Sequence, residues 1–476
     1  MASRAVFGHA LLGASAAILP ALAMWGFTVD DALVSIRYAH DIAIGAGYRF
    51  DPNGPSTDGV TPLPWAWMLA PFARSDDALS TLTVAKALGV VCWAGAAAAL
   101  GARLGVAARS PEGASSPRAS VVALVVMALA FPIGAWAASG METGLATALA
   151  TLAATQATRP RRAAALAGLA ASLRPEMVVW AVTLASLSAF EAAPRAAGAT
   201  SRTALAREVT VAGGLAALPF VACALVRLFV FGRAAPLALL AKPSDLSHGA
   251  VYAAAAVVVV LLPVLAFAPV AIVKTPGPAR AIAAAFVAHV LAVIVAGGDW
   301  MPYARLVVPV APSLVLVVAA TSTSTRKAFS IARAVVALVV GVVLAVRVAP
   351  AGRRVEADRR DLVARARPVL ASSKVVAAID IGWLSAATSA RIVDLAGLTD
   401  PAIAALPGGH TSKRVDAGML LDREVDTVLV YEDARGDIRV AEARIVRAPI
   451  FAERFERAET LPLGATGARY VVFRRR

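Results

Sequence analysis

The chain has 476 residues, 59% of them hydrophobic and only 16% charged, with a mean hydropathy of +0.71. Soluble globular proteins carry about 25% charged residues, so the composition excludes a soluble protein and points to a polytopic α-helical membrane protein. The net charge of +15 is no argument for nucleic acid as a partner, because the basic residues lie mainly in short loops between apolar runs, where they orient a protein in a lipid bilayer.

The first element is the apolar run Val6 to Phe27, long enough to cross a bilayer. With Arg4 before it and Ala21-Leu22-Ala23 near its end, it also has the form of a signal peptide. It is longer than a typical signal core, and cleavage would strand Asp30 beside a new terminus, so we read it as a retained span. Asp30 and Asp31 follow directly. Two adjacent carboxylates at a membrane surface are costly to desolvate, which points to chemistry on a substrate at that surface.

Residues 28–79 form a long first loop. From Asp31 to Ile44 the apolar residues Leu33, Ile36, Tyr38, Ala39 and Ile42 recur at helical spacing, which predicts an amphipathic helix along the interface. Asp51-Pro52-Asn53-Gly54-Pro55 predicts a turn. Thr61 to Phe72, with Pro62, Pro64 and two tryptophans, predicts a second short interfacial or re-entrant helix.

About eleven spans follow from window length: 7–27, 80–101, 119–138, 142–157, 163–174, 176–190, 210–231, 249–272, 280–297, 305–321 and 331–349. Trp25, Trp65, Trp67, Trp136 and Trp300 fall near span ends, as belt residues do. Cys92 and Cys223 lie inside apolar runs and the five histidines are scattered, which leaves no disulfide frame and no metal-ligand spacing. The N-terminus and alternate loops (102–118, 158–162, 191–209, 273–280 and 322–333) hold about fifteen basic residues against about seven in the others, which places the N-terminus in the cytoplasm. The acidic residues Asp30, Asp31, Asp58, Glu142, Glu176 and Asp299 fall on the opposite side. With an odd span count, the tail is outside.

The tail from 351 to 476 carries 21 Lys and Arg and 17 Asp and Glu, enough charge for a soluble domain. Strand-like runs at Lys374–Ile381, Arg391–Leu395, Thr427–Tyr431 and Tyr470–Phe473 alternate with helical stretches, which predicts a small α/β domain. The expected organisation is a transmembrane module over 1–350 and an exterior α/β domain over 351–476.

Polar clusters cluster at one set of span ends: Asp30-Asp31, Ser139–Thr143, Arg174-Pro175-Glu176, Lys242, and Gly297–Pro302 with Arg305. Each alone is explained by helix capping; together they describe a polar cavity opening outward. A carboxylate there suits a general base for an acceptor hydroxyl. Arg174, Lys242 and Arg305 suit a leaving phosphate. No nucleotide-phosphate loop is present, so a lipid-linked donor fits an exterior site.

Thr28-Val29-Asp30-Asp31-Ala32-Leu33-Val34-Ser35-Ile36-Arg37-Tyr38-Ala39 resembles the opening of the first exterior loop of GT-C class, polyprenyl-phosphate-dependent membrane glycosyltransferases. The likeness is closest to the terminal arabinofuranosyltransferases of the actinobacterial cell wall. Ser139–Thr143, Leu173–Glu176, Gly298–Pro302 and Asp394-Leu395-Ala396-Gly397-Leu398-Thr399-Asp400-Pro401 are similar to further family blocks, in order along nearly the whole chain. Gly232, Pro236 and Lys242 are similar to a loop before a phosphate-near lysine, with different spacing. Asp58-Gly59-Val60-Thr61-Pro62 departs from the usual block, which has Glu first and Asn after Thr.

The resemblance implies a GT-C-like fold in a bacterial cytoplasmic membrane, and an inverting glycosyltransferase at its exterior face. It moves a sugar, arabinofuranose by the closest likeness, from a polyprenyl-phosphate donor to an envelope glycan, lipid or protein acceptor. Asp30 or Asp31 is the implied base, with Asp30 the first choice. Arg37, Tyr38, Asp58, Glu142, Arg174, Glu176, Lys242, Asp299, Trp300 and Arg305 are the implied substrate-binding residues. No cofactor is required, although a carboxylate-lined pocket suits Mg²⁺ or Mn²⁺. The rival function is a transporter or flippase of lipid-linked glycans, since intramembrane charges also mark transport paths. In the tail block, Thr399 or Asp400 as a helix N-cap and Pro401 at the first helical position account for the pattern without catalysis.

Overall fold

A computed structural model of the chain describes residues 2–108, 116–196, 202–242, 244–261, 277–322 and 327–476. The end of the expected span 249–272 and the loop residues Arg109, Lys274 and Arg326 lie outside them. Among the described residues, five helices are long and apolar enough to cross a membrane: Arg4–Ala23, Ala78–Ala107, Arg202–Phe231, Pro278–Val295 and Ile331–Leu370. A pair bent by 61°, Pro117–Ala128 and Phe131–Ala137, makes a sixth if it counts as one span.

The expected count of about eleven is therefore not supported among the described residues. Expected spans 142–157 and 163–174 are helices of 13 and 14 residues, Thr143–Thr155 and Pro160–Leu173. At 1.5 Å per residue each reaches about 20 Å, short of a hydrocarbon core of about 30 Å. Expected span 305–321 breaks up because Pro309 and Pro312 remove helix donors; it holds turns, a 3₁₀ turn Ala311–Ser313 and the helix Leu314–Ser322. The apolar side chains of Arg202–Phe231 point mostly outward. Phe229 is 82% exposed, with Leu218 and Leu225 exposed beside it on the same helix, the inverse of a soluble helix.

The chain divides into two compact units, neither continuous in sequence. The first comprises Met1–Phe27, Lys86–Cys223 and Ser244–Arg353. Its helices approach closely through small residues: a Cβ on Gly144 would fall 2.7 Å from the Gly89 Cα, the small-residue packing of membrane helices. Two tryptophans expected at the interface are core residues instead. Trp136 is fully buried in this unit, its Nε1 donating to the Tyr303 carbonyl at 3.1 Å and its ring edge-on to Phe27. Trp65 is buried in the second unit, whereas Trp67 and Trp300 are about half exposed.

The second unit comprises Thr28–Ala85, Ala224–Pro243 and Arg354–Arg476. Its centre is a five-stranded sheet ordered β2-β1-β3-β5-β4, where β1 is Val375–Ala378, β2 Arg391–Asp394, β3 Thr427–Glu432, β4 Phe455–Pro462 and β5 Arg469–Arg475. β1 pairs in parallel with β2 and β3, and the other pairings are antiparallel. Alternation along the strands splits the core between two faces. Val375, Ala377, Val428 and Val430 pack with Leu420, Ile445 and Phe451; Val376, Ala378, Leu429 and Val472 pack with Leu362, Ala366 and Leu370.

The helix expected from 31–44 spacing forms as Asp30–Ala43. It buries eight of its fourteen residues, so it is packed into the second unit along most of its surface. A short helix, Leu63–Leu69, forms within the expected stretch 61–72, and the expected turn is closed by Gly54 N–H on Asp51 O at 2.9 Å.

Candidate functional site

The residues singled out in the sequence fall into two groups, one in each unit. Asp30, Asp31, Arg37, Tyr38, Asp58 and Lys242 belong to the second unit; Glu142, Arg174, Glu176, Asp299, Trp300 and Arg305 belong to the first.

In the second unit, Asp30 opens the helix Asp30–Ala43 and its carboxylate caps another one. Oδ2 accepts from the Gly382 N–H at 2.9 Å and Oδ1 from the Trp383 N–H at 2.8 Å, at the start of the helix Ile381–Ala387. That helix's own N-cap residue, Asp380, makes no capping bond; Asp30 supplies it from 350 positions upstream in place of a local cap. Glycine is required at 382, because a Cβ there would lie 2.1 Å from the Asp30 carbonyl oxygen.

Asp380 anchors a network missed in the sequence. It accepts from the Tyr470 hydroxyl and from Arg439 Nη2 at 2.8 Å, and Arg359 Nη1 donates to Tyr470 Oη at 2.8 Å. Burial and the nearby Asp380 carboxylate push the Asp30 carboxyl up, against the two backbone donors. Burial acts the same way on Asp380, but Arg439 and Arg359 outweigh it and hold its carboxyl down. The available signal was a lone carboxylate closing the apolar run Val375–Ile379. Asp31, one residue on from Asp30, is partly buried.

The remaining second-unit residues tie the first loop down. Tyr38 Oη lies 2.8 Å from Thr57 Oγ1 and accepts from the Gly59 N–H at 3.1 Å. Arg37 Nε donates to the Phe50 carbonyl at 3.1 Å and lies 4.0 Å from Asp41. Asp58 pairs with Arg227 at 2.7 Å, both buried, and Arg227 Nη2 also donates to the Thr61 carbonyl at 2.5 Å. Burial pushes the Asp58 carboxyl up despite Arg227. Arg227 too was missed, although a lone Arg in an apolar helix is the usual mark of a functional or paired charge. Lys242 closes the short helix Leu237–Ala241.

The tail block is a structural loop. Asp394, buried at the end of β2, accepts from Ala396, Gly397 and Thr399 N–H and from Thr399 Oγ1. Asp400 is the N-cap of Pro401–Ala404, accepting from Ala402 and Ile403 N–H, with Pro401 at the first helical position.

In the first unit, five charged residues from three separate blocks converge. Arg174 Nη1 donates to Glu142 Oε1 at 2.7 Å, and Nε to Glu176 Oε1 at 2.7 Å, with the Arg174 and Glu142 side chains all but fully buried. Arg305 pairs with Asp299 at 3.0 Å and acts electrostatically on both Glu142 and Glu176. Its guanidinium lies over the Trp136 ring at 5.9 Å, and Nη1 contacts Met301 Sδ. Tyr303 and Ala304, just before it, both adopt left-handed backbone with φ 59° and 54°. Such strain costs on the order of 1–3 kcal/mol per residue and collects at functional sites. Buried His289 bonds the Leu306 carbonyl at 2.7 Å. Trp300 is half exposed beside Asp299, whose Oδ1 accepts its N–H at 2.9 Å.

Chemically, the first-unit cluster offers two guanidinium groups and three carboxylates in a shielded setting, where ionic contacts are strong. The second-unit site offers adjacent carboxylates, one of them spent as a helix cap. Among the described residues, no three His, Cys, Asp or Glu side chains come together so as to hold a metal ion.

A family model described as a domain of unknown function (DUF8728) matches residues 354–473, the sheet-bearing C-terminal part of the second unit. No curated protein and no solved structure matches the chain.

Proposed function

We propose that this protein is a membrane glycosyltransferase of GT-C type. It uses a polyprenyl-phosphate sugar at the exterior face of a bacterial cytoplasmic membrane, with the N-terminus inside and the C-terminal segment outside. The observation that carries the proposal is the convergence of Glu142, Arg174, Glu176, Asp299 and Arg305. Three sequence blocks, running from Glu142 to Arg305, place charged groups together where burial is costly. The ordered likeness of those blocks, and of Thr28–Ala39, to GT-C enzymes supports the same conclusion.

In this mechanism Asp31 is the base, because both oxygens of Asp30 are committed to the helix Ile381–Ala387. Asp31 takes the proton of an acceptor hydroxyl as its oxygen attacks the anomeric carbon. The new glycosidic C–O bond forms as the anomeric carbon–phosphate oxygen bond breaks, with inversion. Polyprenyl phosphate leaves with the bonding pair, and guanidinium groups offset its charge. The sugar is an arabinofuranose by the closest likeness, and the acceptor is an envelope glycan, lipid or protein.

The test is transfer of labelled sugar from synthetic polyprenyl-phosphate donors by the purified full chain. Activity abolished in Asp31→Asn supports the proposal. Full turnover in that variant, or transbilayer movement of the donor without transfer, sinks it; the latter outcome belongs to a flippase.

A further inference from the structure

We infer that a cleft in the second unit is the binding site for a neutral oligosaccharide, the acceptor glycan; the word acceptor rests on the function proposed above. The cleft has a volume of about 700 Å³, within the usual range for ligand sites. Eleven of its sixteen lining residues are polar or charged, which excludes a polyprenyl chain as occupant. Four distant segments build it: Arg37 and His40 from the acidic helix, Asp76 and Asp77 before the helix Ala78–Ala107, Arg360 and Arg367 from Ala349–Leu370, and residues 385–389.

The mixture of signs selects the ligand class. Guanidinium forks donate to pairs of vicinal hydroxyl oxygens, and carboxylates accept from hydroxyl hydrogens. A neutral polyol uses both. An anion would meet the exposed carboxylates of Asp76 and Asp77, and the charge of Arg360 is already paired with Glu356 at 2.8 Å. Arg367 is exposed and makes one long bond, 3.4 Å, to the Ala386 carbonyl, so most of its donors face solvent.

Position agrees with chemistry. Arg37 and His40 follow Asp31 on one continuous helix, so at 1.5 Å per residue they lie about 9 and 14 Å along its axis. A glycan of a few residues seated in the cleft spans that distance, with its growing end toward the acidic pair.

The experiment uses the full chain in detergent. Binding of neutral linear pentose and hexose tetrasaccharides is followed by saturation-transfer NMR, with inorganic pyrophosphate as the anionic competitor. At least one tetrasaccharide is expected to bind, about tenfold more weakly in Arg367→Ala, for one lost charged hydrogen-bonding group. Ser389→Trp, which fills the cleft instead of removing a charge, should abolish binding. In turnover assays, Arg367→Ala should raise the acceptor KM about tenfold while the donor KM stays the same. No tetrasaccharide binding, binding unaffected by both variants, or displacement by pyrophosphate each overturns the inference. Arg367-dependent binding without any sugar transfer upholds the cleft as a glycan site and removes the glycosyltransferase function. Transfer with an unchanged acceptor KM does the reverse.

Discussion

Arg227 and Asp58, 169 positions apart, form an ion pair of 2.7 Å with both side chains almost wholly out of solvent. It clasps the first loop to the end of the helix Arg202–Phe231 within the second unit. Removing one partner of a buried pair leaves an uncompensated charge, at about 3–5 kcal/mol, whereas replacing both with apolar groups is often neutral. Arg227→Met should therefore lower the thermal midpoint sharply in detergent, and Arg227→Met with Asp58→Leu should recover most of it.

Asp30 and Asp31 should separate by phenotype. Asp30→Ala removes the cap on Gly382 and Trp383 and should cost about 1 kcal/mol of stability, read as a lower melting temperature. Asp31→Asn keeps the size and hydrogen-bonding reach of the side chain, so it should lower melting less than Asp30→Ala does, and it should reduce kcat by at least about a hundredfold, the lower range for a general base. Equal loss of stability in both variants would contradict this division of roles.

Arg174 bridges Glu142 and Glu176, a geometry that a lysine's single ammonium does not reproduce. Arg174→Ala is expected to destabilise the first unit by about 3–5 kcal/mol. Arg174→Lys should fold but lose most transfer activity, with the melting curve and the donor KM measured side by side.

Asp41 predicts a pH dependence. It is fully buried and neither carboxylate oxygen has a hydrogen-bond partner among the described residues; burial raises its carboxyl to about 6, with Arg37 and His40 opposing. A carboxyl raised above its unfolded value of 3.8 contributes fully to stability below that value. The contribution is lost as pH rises through about 6. Asp41→Asn mimics the protonated form, so it should stabilise the fold at pH 7.5 by on the order of 2–3 kcal/mol. The gain should vanish by pH 4, as thermal denaturation at the two pH values will show.

Much of the second unit was legible in the sequence. Four of the five strands were evident because β1, β2, β3 and β5 are short apolar runs between turn residues. β4, Phe455–Pro462, was not: five consecutive residues of it are exposed and mostly charged, the guise of an edge strand. Span counting failed at Thr143–Thr155 and Pro160–Leu173, since composition reports apolarity without reporting where a helix stops.

The chain by itself determined its apolar long helices, its charged C-terminal sheet segment, and several of the charged residues that the fold buries, because apolar periodicity, proline and rare charges in apolar runs are local properties. Only the tertiary structure decided the company those residues keep. It drew Thr28–Ala85 and Ala224–Pro243 into one compact unit with the sheet. It spent Asp30 on a helix start 350 positions away, found Arg227 for Asp58, and gathered Glu142, Arg174, Glu176 and Arg305. The physical reason is desolvation: a charge leaving water must find a partner wherever the fold offers one, and sequence distance does not enter that energy.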